Sequence, residues 1–331
     1  MRILLVRTSA LGDVVHALPV VAALRRHLPE ARIAWVVEQA FASLLSERGD
    51  IDEVIPVRLR AWRRSPLSRQ HRRELGSALA AMRRFRADLA LDLMGNHKAG
   101  VLVALSGAKR RLGAPREQRR EPSSALWVAE TAQLSGEHVV DRTLSLLSAL
   151  GLPSEPADFA AERIFPGARA DGASSGVLVH AGAGWGNKTI PAATAAWLAR
   201  EIGRRWALPV TIAAGPGEAQ LARDIATRSD GAATAALDVS LADFAGRARA
   251  SRLVIGGDTG PLHLAHAVGA RVLMAMGPTD PARHGPYGAP ERAIHQQLPC
   301  SGCYRRFDEP KACITSIRRA AWLDSLENAL A

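Results

Sequence analysis

The chain has 331 residues, enough for roughly two domains at about 150 residues each, and either half could bury a sizeable core. Hydrophobic residues make up 47% and charged residues 23%, a composition that excludes general disorder and a collagen-like repeat. Net charge is +11, from 43 Lys+Arg against 32 Asp+Glu, so acidic partners are favoured.

No apolar run approaches the roughly 20 residues needed to cross a bilayer. The first apolar stretch, Ile3 to Val6, is short, and Asp13 interrupts the next one, so the N-terminus does not read as a signal peptide. The expected compartment is the cytoplasm.

In chain order, strand-like runs at Ile3–Val6, Ile33–Val37, Val54–Val57 and Leu89–Leu93 alternate with helix-like stretches such as Val14–Leu28 and Glu74–Arg84. A Pro/Gly/Ala-rich stretch from Gly151 to Gly176 comes next. A second series then begins, with strands at Val177–His180, Val210–Ala213, Leu253–Gly256 and Val272–Met276. Its helices are expected at Ala192–Trp206, Glu218–Ser229, Ala242–Ala250 and Pro261–Val268, and a last helix at Ile314–Leu330. Such alternation implies crossover units and parallel sheets, hence an α/β fold in two halves. In open parallel sheets ligands collect beyond the carboxyl ends of the strands, so motifs there carry extra weight.

The basic excess is uneven. Residues 1–155 hold 24 Lys+Arg against 16 Asp+Glu. Arg58, Arg60, Arg63, Arg64, Arg69, Arg72 and Arg73 form one cluster, and Lys109, Arg110, Arg111, Arg116, Arg119 and Arg120 a second. Each reads either as a solvated face or as a site for a polyanion.

Four strand-end loops could carry chemistry. Thr8-Ser9-Ala10-Leu11-Gly12-Asp13 places Asp13 at a helix start, where it is either a cap or a general base. His180-Ala-Gly-Ala-Gly-Trp-Gly-Asn-Lys188 is glycine-rich enough for backbone amides to approach phosphate, and Lys188 can neutralise phosphate charge. Ala214-Gly-Pro-Gly-Glu218 offers an acid for ribose hydroxyls or for the helix dipole. Gly256-Gly-Asp-Thr-Gly-Pro-Leu-His263 opens a helix whose free amides suit an anion. Asp258 and Thr259 read there as caps or as ligands, and with Lys188 they suggest a diphosphate clamp. Neither a dinucleotide fingerprint nor a Walker-A pattern is present. Cys300, Cys303 and Cys313 are too few for a four-ligand metal site, with His295 as an added candidate ligand, and are expected to be reduced thiols.

Together these segments resemble the ADP-heptose:lipopolysaccharide heptosyltransferases, glycosyltransferase family 9, over nearly the whole chain. The resemblance rests on Met1-Arg-Ile-Leu-Leu-Val-Arg-Thr-Ser-Ala-Leu-Gly-Asp-Val-Val-His16, Trp35-Val-Val-Glu38, Ile55-Pro-Val-Arg-Leu-Arg-Ala-Trp-Arg-Arg64, Arg120-Glu-Pro122, Gly257-Asp-Thr-Gly-Pro-Leu-His263 and Gly277-Pro-Thr-Asp-Pro281. The arginine segment and Arg120-Glu-Pro122 point to the branch acting on Kdo. Met94 stands where members often have Gln, and Thr189-Ile190 where a basic residue and Trp are usual.

The resemblance implies a GT-B architecture of two facing Rossmann-like domains with an interdomain active-site cleft. The expected domains are an acceptor-binding half at 1–160, a nucleotide-sugar half at 171–312, and a helix at 313–331 packing back toward the first half. It implies inverting transfer of L-glycero-D-manno-heptose from ADP-heptose to Kdo of Kdo-lipid A, with no cofactor or metal. Asp13 is then the general base, and Lys188 stabilises the leaving group. Lys188, Glu218, Asp258, Thr259, Gly260 and His263 hold the donor. Arg60, Arg63, Arg64, Lys98 and Arg120 meet the acceptor. Partners would be ADP-heptose, Kdo-lipid A and the anionic cytoplasmic leaflet of the inner membrane, bound peripherally. A nucleic-acid-binding protein is the rival from another class, but the basic runs lack interleaved aromatics apart from Trp62. The nearest rival is a family member acting on a later core heptose or another acceptor, and a sugar-nucleotide epimerase is a further reading.

Overall fold

The computed structural model describes residues 1–169 and 176–331. The chain divides into two compact units, Met1–Pro166 and Gly167–Ala331. The expected start of the second domain at 171 lies outside the described residues.

In the first unit, strands β1 (Arg2–Val6), β2 (Arg32–Glu38), β3 (Glu53–Val57), β4 (Leu89–Asp92), β5 (Arg110–Gly113) and β6 (Glu130–Thr131) alternate with helices. These are α1 (Leu11–His16), α2 (Leu18–His27), α3 (Ala42–Ser46), α4 (Leu59–Arg64), α5 (Arg69–Phe85), α6 (His97–Leu105) and α7 (Val139–Leu144). The strand order is β3-β2-β1-β4-β5-β6, all parallel.

The second unit repeats the plan. Its strands are β7 (Val177–His180), β8 (Val210–Ala213), β9 (Ala233–Ala236), β10 (Leu253–Gly257), β11 (Val272–Met276) and β12 (Ala293–His295). Its helices are α8 (Ala192–Trp206), α9 (Ala219–Arg228), α10 (Leu241–Ala250), α11 (Gly260–Ala267), α12 (Pro281–His284), α13 (Ala312–Thr315) and α14 (Arg319–Leu330). The order β12-β11-β10-β7-β8-β9 is the same winding, again parallel. Each sheet reverses direction between its first and fourth strands, which is where a doubly wound sheet opens a ligand crevice. That puts the loops after β1 and β4, and those after β7 and β10, at the two switch points.

Both faces of each sheet are covered, so the strands are apolar almost throughout. In the first unit Leu4, Val6, Ala34, Val36, Ile55 and Val57 meet Trp62, Ala78, Met82 and Phe85. In the second, Val177, Val179, Ile212, Leu253, Ile255 and Leu273 meet Leu198, Ile202 and Ile225.

Two expectations are corrected. The stretch Val14–Leu28 is two helices, because Pro19 has no N–H to continue the first and suits the first turn of the second. The stretch Ile314–Leu330 is likewise α13 and α14. Trp322, Leu326 and Leu330 of α14 are buried in the core of the second unit. No described helix is long and apolar enough to cross a membrane.

Candidate active site

In the first unit the switch point is built around Asp13. It lies at the third position of α1, where its Oδ2 accepts the Ala10 N–H at 3.0 Å. Its Oδ1 pairs with the Arg7 guanidinium at 2.7 Å, and a third of the Asp13 side chain stays exposed. Arg7 is itself pinned, because it donates to the Leu93 carbonyl and its own carbonyl accepts from Trp35 Nε1 at 3.1 Å. Asp13 therefore does cap its helix. The same geometry fixes a charged carboxylate at the mouth of the crevice.

Glu38, at the end of β2, ties this loop to α4. Its N–H donates to the Thr8 carbonyl at 3.0 Å, and its carboxylate accepts the Leu59 N–H at 3.2 Å. Met94, in place of the more usual Gln, takes contacts from the Thr8 N–H and hydroxyl, both at 3.3 Å to sulfur.

The loops after β4 and β5 are fastened by a buried ion pair between Asp92 and Arg119, neither side chain exposed at all. Asp92 Oδ1 also accepts the N–H groups of Met94 and Gly95, each at 3.0 Å. Arg119 donates to Ser124 Oγ at 2.8 Å and to the Ala114 carbonyl at 3.1 Å. Glu121 caps α6 through the His97 N–H at 2.8 Å. Lys98, in the first turn of α6, and Arg120, on the loop after β5, are thereby held on joined segments, both exposed. Arg60, Arg63 and Arg64 stand exposed on α4, and no described hydrogen bond or ion pair links them to Lys98 or Arg120.

In the second unit the centre is Asp258, just after β10 and 4% exposed. Its Oδ2 takes Lys188 Nζ at 2.5 Å and the Thr279 hydroxyl, and its Oδ1 meets His263 Nε2 at 2.8 Å. Burial acts to raise this carboxyl, but the His263 hydrogen bond and the Lys188 charge outweigh it and hold it far below the ordinary carboxylate range. Asp258 is buried with both oxygens on protein groups, whereas Asp13 stays partly exposed, so Asp258 positions Lys188 and His263. Lys188 also lies 4.9 Å from the Trp185 ring centre.

Thr259 is the N-cap of α11 and makes no side-chain cap. Its buried hydroxyl has no hydrogen-bond partner in the protein, and the N–H groups of the first helical turn have no intrahelical acceptor. Lys188, the Thr259 hydroxyl and the Gly260 N–H at the start of α11 make a corner of donors of the kind that can hold an anion, while Pro261 has no N–H to add. Close backbone approach requires glycine here: a Cβ on Gly257 would stand 2.0 Å from the Lys188 carbonyl.

Glu218 neighbours this corner, after β8. It accepts the Gly215 N–H at 2.9 Å and pairs with His180 Nε2 at 3.2 Å. Burial raises its carboxyl, and the His180 contact more than offsets this, leaving it below the usual value. A Cβ on Gly182 would strike Glu218 at 2.2 Å, so the glycine-rich loop lies directly against this carboxylate. Asn187 anchors that loop, donating to the Arg305 carbonyl at 2.9 Å.

The structure thus brings Lys188, Asp258, Thr259, Gly260 and His263 together, with Glu218 on the adjoining loop. Sequence reasoning passed over Arg7, Glu38, His180 and Thr279, although all four fall within the strand-end and family motifs. Cys300 and Cys303 are exposed and Cys313 half-buried, all as free thiols, and burial raises the Cys313 thiol. Among the described residues, no three His, Cys, Asp or Glu side chains form a group that could hold a metal.

Residues 75–313 match the family described as glycosyltransferase family 9 (heptosyltransferase). The chain belongs to glycosyltransferase family 9. Lipopolysaccharide heptosyltransferase 1 of Pseudomonas aeruginosa PAO1 is 32% identical, over 92% of this chain and 87% of its own length. The protein of the same name from Escherichia coli K12 is 29% identical, over 87% of this chain and 91% of its own. Among solved structures, E. coli heptosyltransferase WaaC with ADP matches with a TM-score of 0.85 at 25% identity, covering 99% of this chain and all of that one. As a family 9 glycosyltransferase the chain is an enzyme, and its two doubly wound units are those of the GT-B architecture.

Proposed function

We propose that this family 9 enzyme transfers L-glycero-D-manno-heptose from ADP-heptose to the first Kdo of Kdo-lipid A, with inversion, in building the lipopolysaccharide inner core. The observation that carries the reading is the anion corner of the second unit, where Asp258 aims Lys188 and His263 beside the uncapped start of α11.

The chemistry uses both switch points. Asp13 accepts the proton of the acceptor hydroxyl as its oxygen bonds to the anomeric carbon of heptose. The bond from that carbon to the terminal phosphate oxygen of ADP breaks, and the electron pair leaves with ADP. Charge grows on the phosphate as this happens. Lys188 and the Gly260 N–H oppose that charge with groups already in place. Glu218, kept ionised by His180, accepts hydrogen bonds from the ribose hydroxyls.

Exposed Arg60, Arg63, Arg64, Lys98 and Arg120 meet the carboxylates and phosphates of the acceptor, for which the fork of guanidinium is suited. The reaction needs no metal or other cofactor on this account. The enzyme works at the cytoplasmic face of the inner membrane, held peripherally by its basic first half.

Mass spectrometry of Kdo-lipid A after incubation with the protein and ADP-heptose tests the assignment. One added heptose is expected. Addition only to a heptose-bearing core would move the enzyme to a later step. Conversion of the sugar nucleotide without any acceptor would mark an epimerase instead.

A further inference from the structure

We propose that the corner joining α4 to α5 is the element that docks the protein on an anionic lipid bilayer. The proposal rests on the peripheral membrane association in the proposed function and assigns it a surface.

The segment from Arg58 to Arg73 contains seven arginines and no acidic residue. Its inner side is clamped by one carboxylate, Glu74. Arg58 pairs with Glu74 Oε1 at 3.0 Å, Trp62 Nε1 donates to Oε2 at 2.9 Å, and Gln70 donates to Oε1 at 2.9 Å. His71 Nδ1 lies 3.0 Å from the Ser65 carbonyl, and Ser68 caps α5. The corner is therefore braced by its own hydrogen bonds.

The other six arginines of the segment are exposed. Arg60, Arg63, Arg64, Arg69, Arg72 and Arg73 have no ion-pair partner or side-chain hydrogen bond among the described residues. The first three recur at i, i+3 and i+4 on α4, and the last three repeat that spacing on α5. Each helix thus presents a cationic stripe. Those on α5 sit in its opening turns, with no acid in the first turn to balance them, where cations oppose the helix dipole. At the tip between the stripes is Leu67, 84% exposed and the most exposed large hydrophobic side chain among the described residues.

Unpaired guanidiniums around an aliphatic tip fit anionic headgroups with acyl chains beneath. A nucleic acid fits less well, because it needs exposed rings for its bases. Trp62 is only 8% exposed and points its N–H at Glu74. On this account Arg60, Arg63 and Arg64 serve the acceptor, and Leu67, Arg69 and Arg72 serve the bilayer that carries it.

The test is co-sedimentation of the full chain with vesicles of phosphatidylglycerol and phosphatidylethanolamine, against vesicles of phosphatidylcholine. Binding is expected only to the anionic vesicles. R69Q/R72Q should weaken it about 25-fold, from about fivefold per charge, and L67S about tenfold, while R69K/R72K retains it. Equal binding to both vesicle types, or variants that bind like the wild type, would overturn the proposal. So would a single-stranded oligonucleotide that displaces the vesicles at equal phosphate concentration. Transfer to a lipid-free, water-soluble Kdo acceptor is measured in parallel and should be unchanged in R69Q/R72Q and L67S. If the wild type binds anionic vesicles as described but transfers nothing, the functional reading fails and the docking surface stands. Transfer without vesicle binding refutes the docking surface alone.

Discussion

Lys188 and Asp258, seventy residues apart in sequence, form a 2.5 Å ion pair at the switch point of the second unit. The pair is almost closed to solvent, and Asp258 spends its other oxygen on His263. One carboxylate therefore organises the glycine-rich loop after β7, the start of α11 and, through Thr279, the loop after β11.

Removing the lysine should be costly to the fold as well as to catalysis. Lys188→Met leaves Asp258 charged and without its cation, which for a buried pair costs about 3–5 kcal/mol. Urea unfolding should show this loss. The double variant Lys188→Met with Asp258→Leu should recover part of it while remaining inactive, since the fold is relieved of a buried charge but the phosphate is not.

The same carboxylate predicts an acid limb. Its folded-state value lies below the unfolded value of about 3.9, so it contributes stability above that pH and loses it as pH falls toward the folded value. Thermal melts of wild type and Asp258→Asn should differ at neutral pH and converge as the pH drops below about 4. A difference that grows in acid would mean the shift has the opposite sign.

Arg7 is expected to act through Asp13. Arg7→Met removes the 2.7 Å contact to Asp13 Oδ1 and leaves the donor corner untouched. The turnover number should fall by about tenfold or more, in keeping with loss of a well-placed base, while KM for ADP-heptose changes by less than about twofold. A rise in donor KM alone would remove Arg7 from this role.

The fold was legible because both sheets are covered on both faces, so eight of the strands appear as short apolar runs. The others escaped for physical reasons. The sequences of β5 and β9, Arg110-Arg-Leu-Gly113 and Ala233-Thr-Ala-Ala236, are not apolar runs, and they lie toward or at the sheet edges. The site divides in the same way. Asp13, Lys188 and Asp258 stand in glycine-containing segments just after strands, and His263 one turn into the helix that follows, which marks them locally. Arg7 directly follows the apolar run of β1 and His180 ends that of β7, and only tertiary contact shows that one holds Asp13 and the other Glu218. Asp92 and Arg119 were invisible as a pair because nothing local links them.

That buried pair carries its own prediction. Arg119→Met strips Asp92 of its partner where both side chains are fully enclosed and should cost about 3–5 kcal/mol in chemical unfolding. In protein that remains folded, loosening of the segments bearing Lys98 and Arg120 should raise KM for the acceptor and leave KM for ADP-heptose unchanged. Equal changes in both would contradict the separation of the two sites.

The central claim is that Asp13 takes the acceptor proton while the second unit holds ADP-heptose. It is tested most directly by comparing Asp13→Ala with wild type in two readouts, calorimetric binding of ADP-heptose and heptose transfer to Kdo-lipid A. The account predicts donor binding within about twofold of wild type, and transfer reduced by at least about 100-fold. Transfer by Asp13→Ala at a wild-type rate would contradict it.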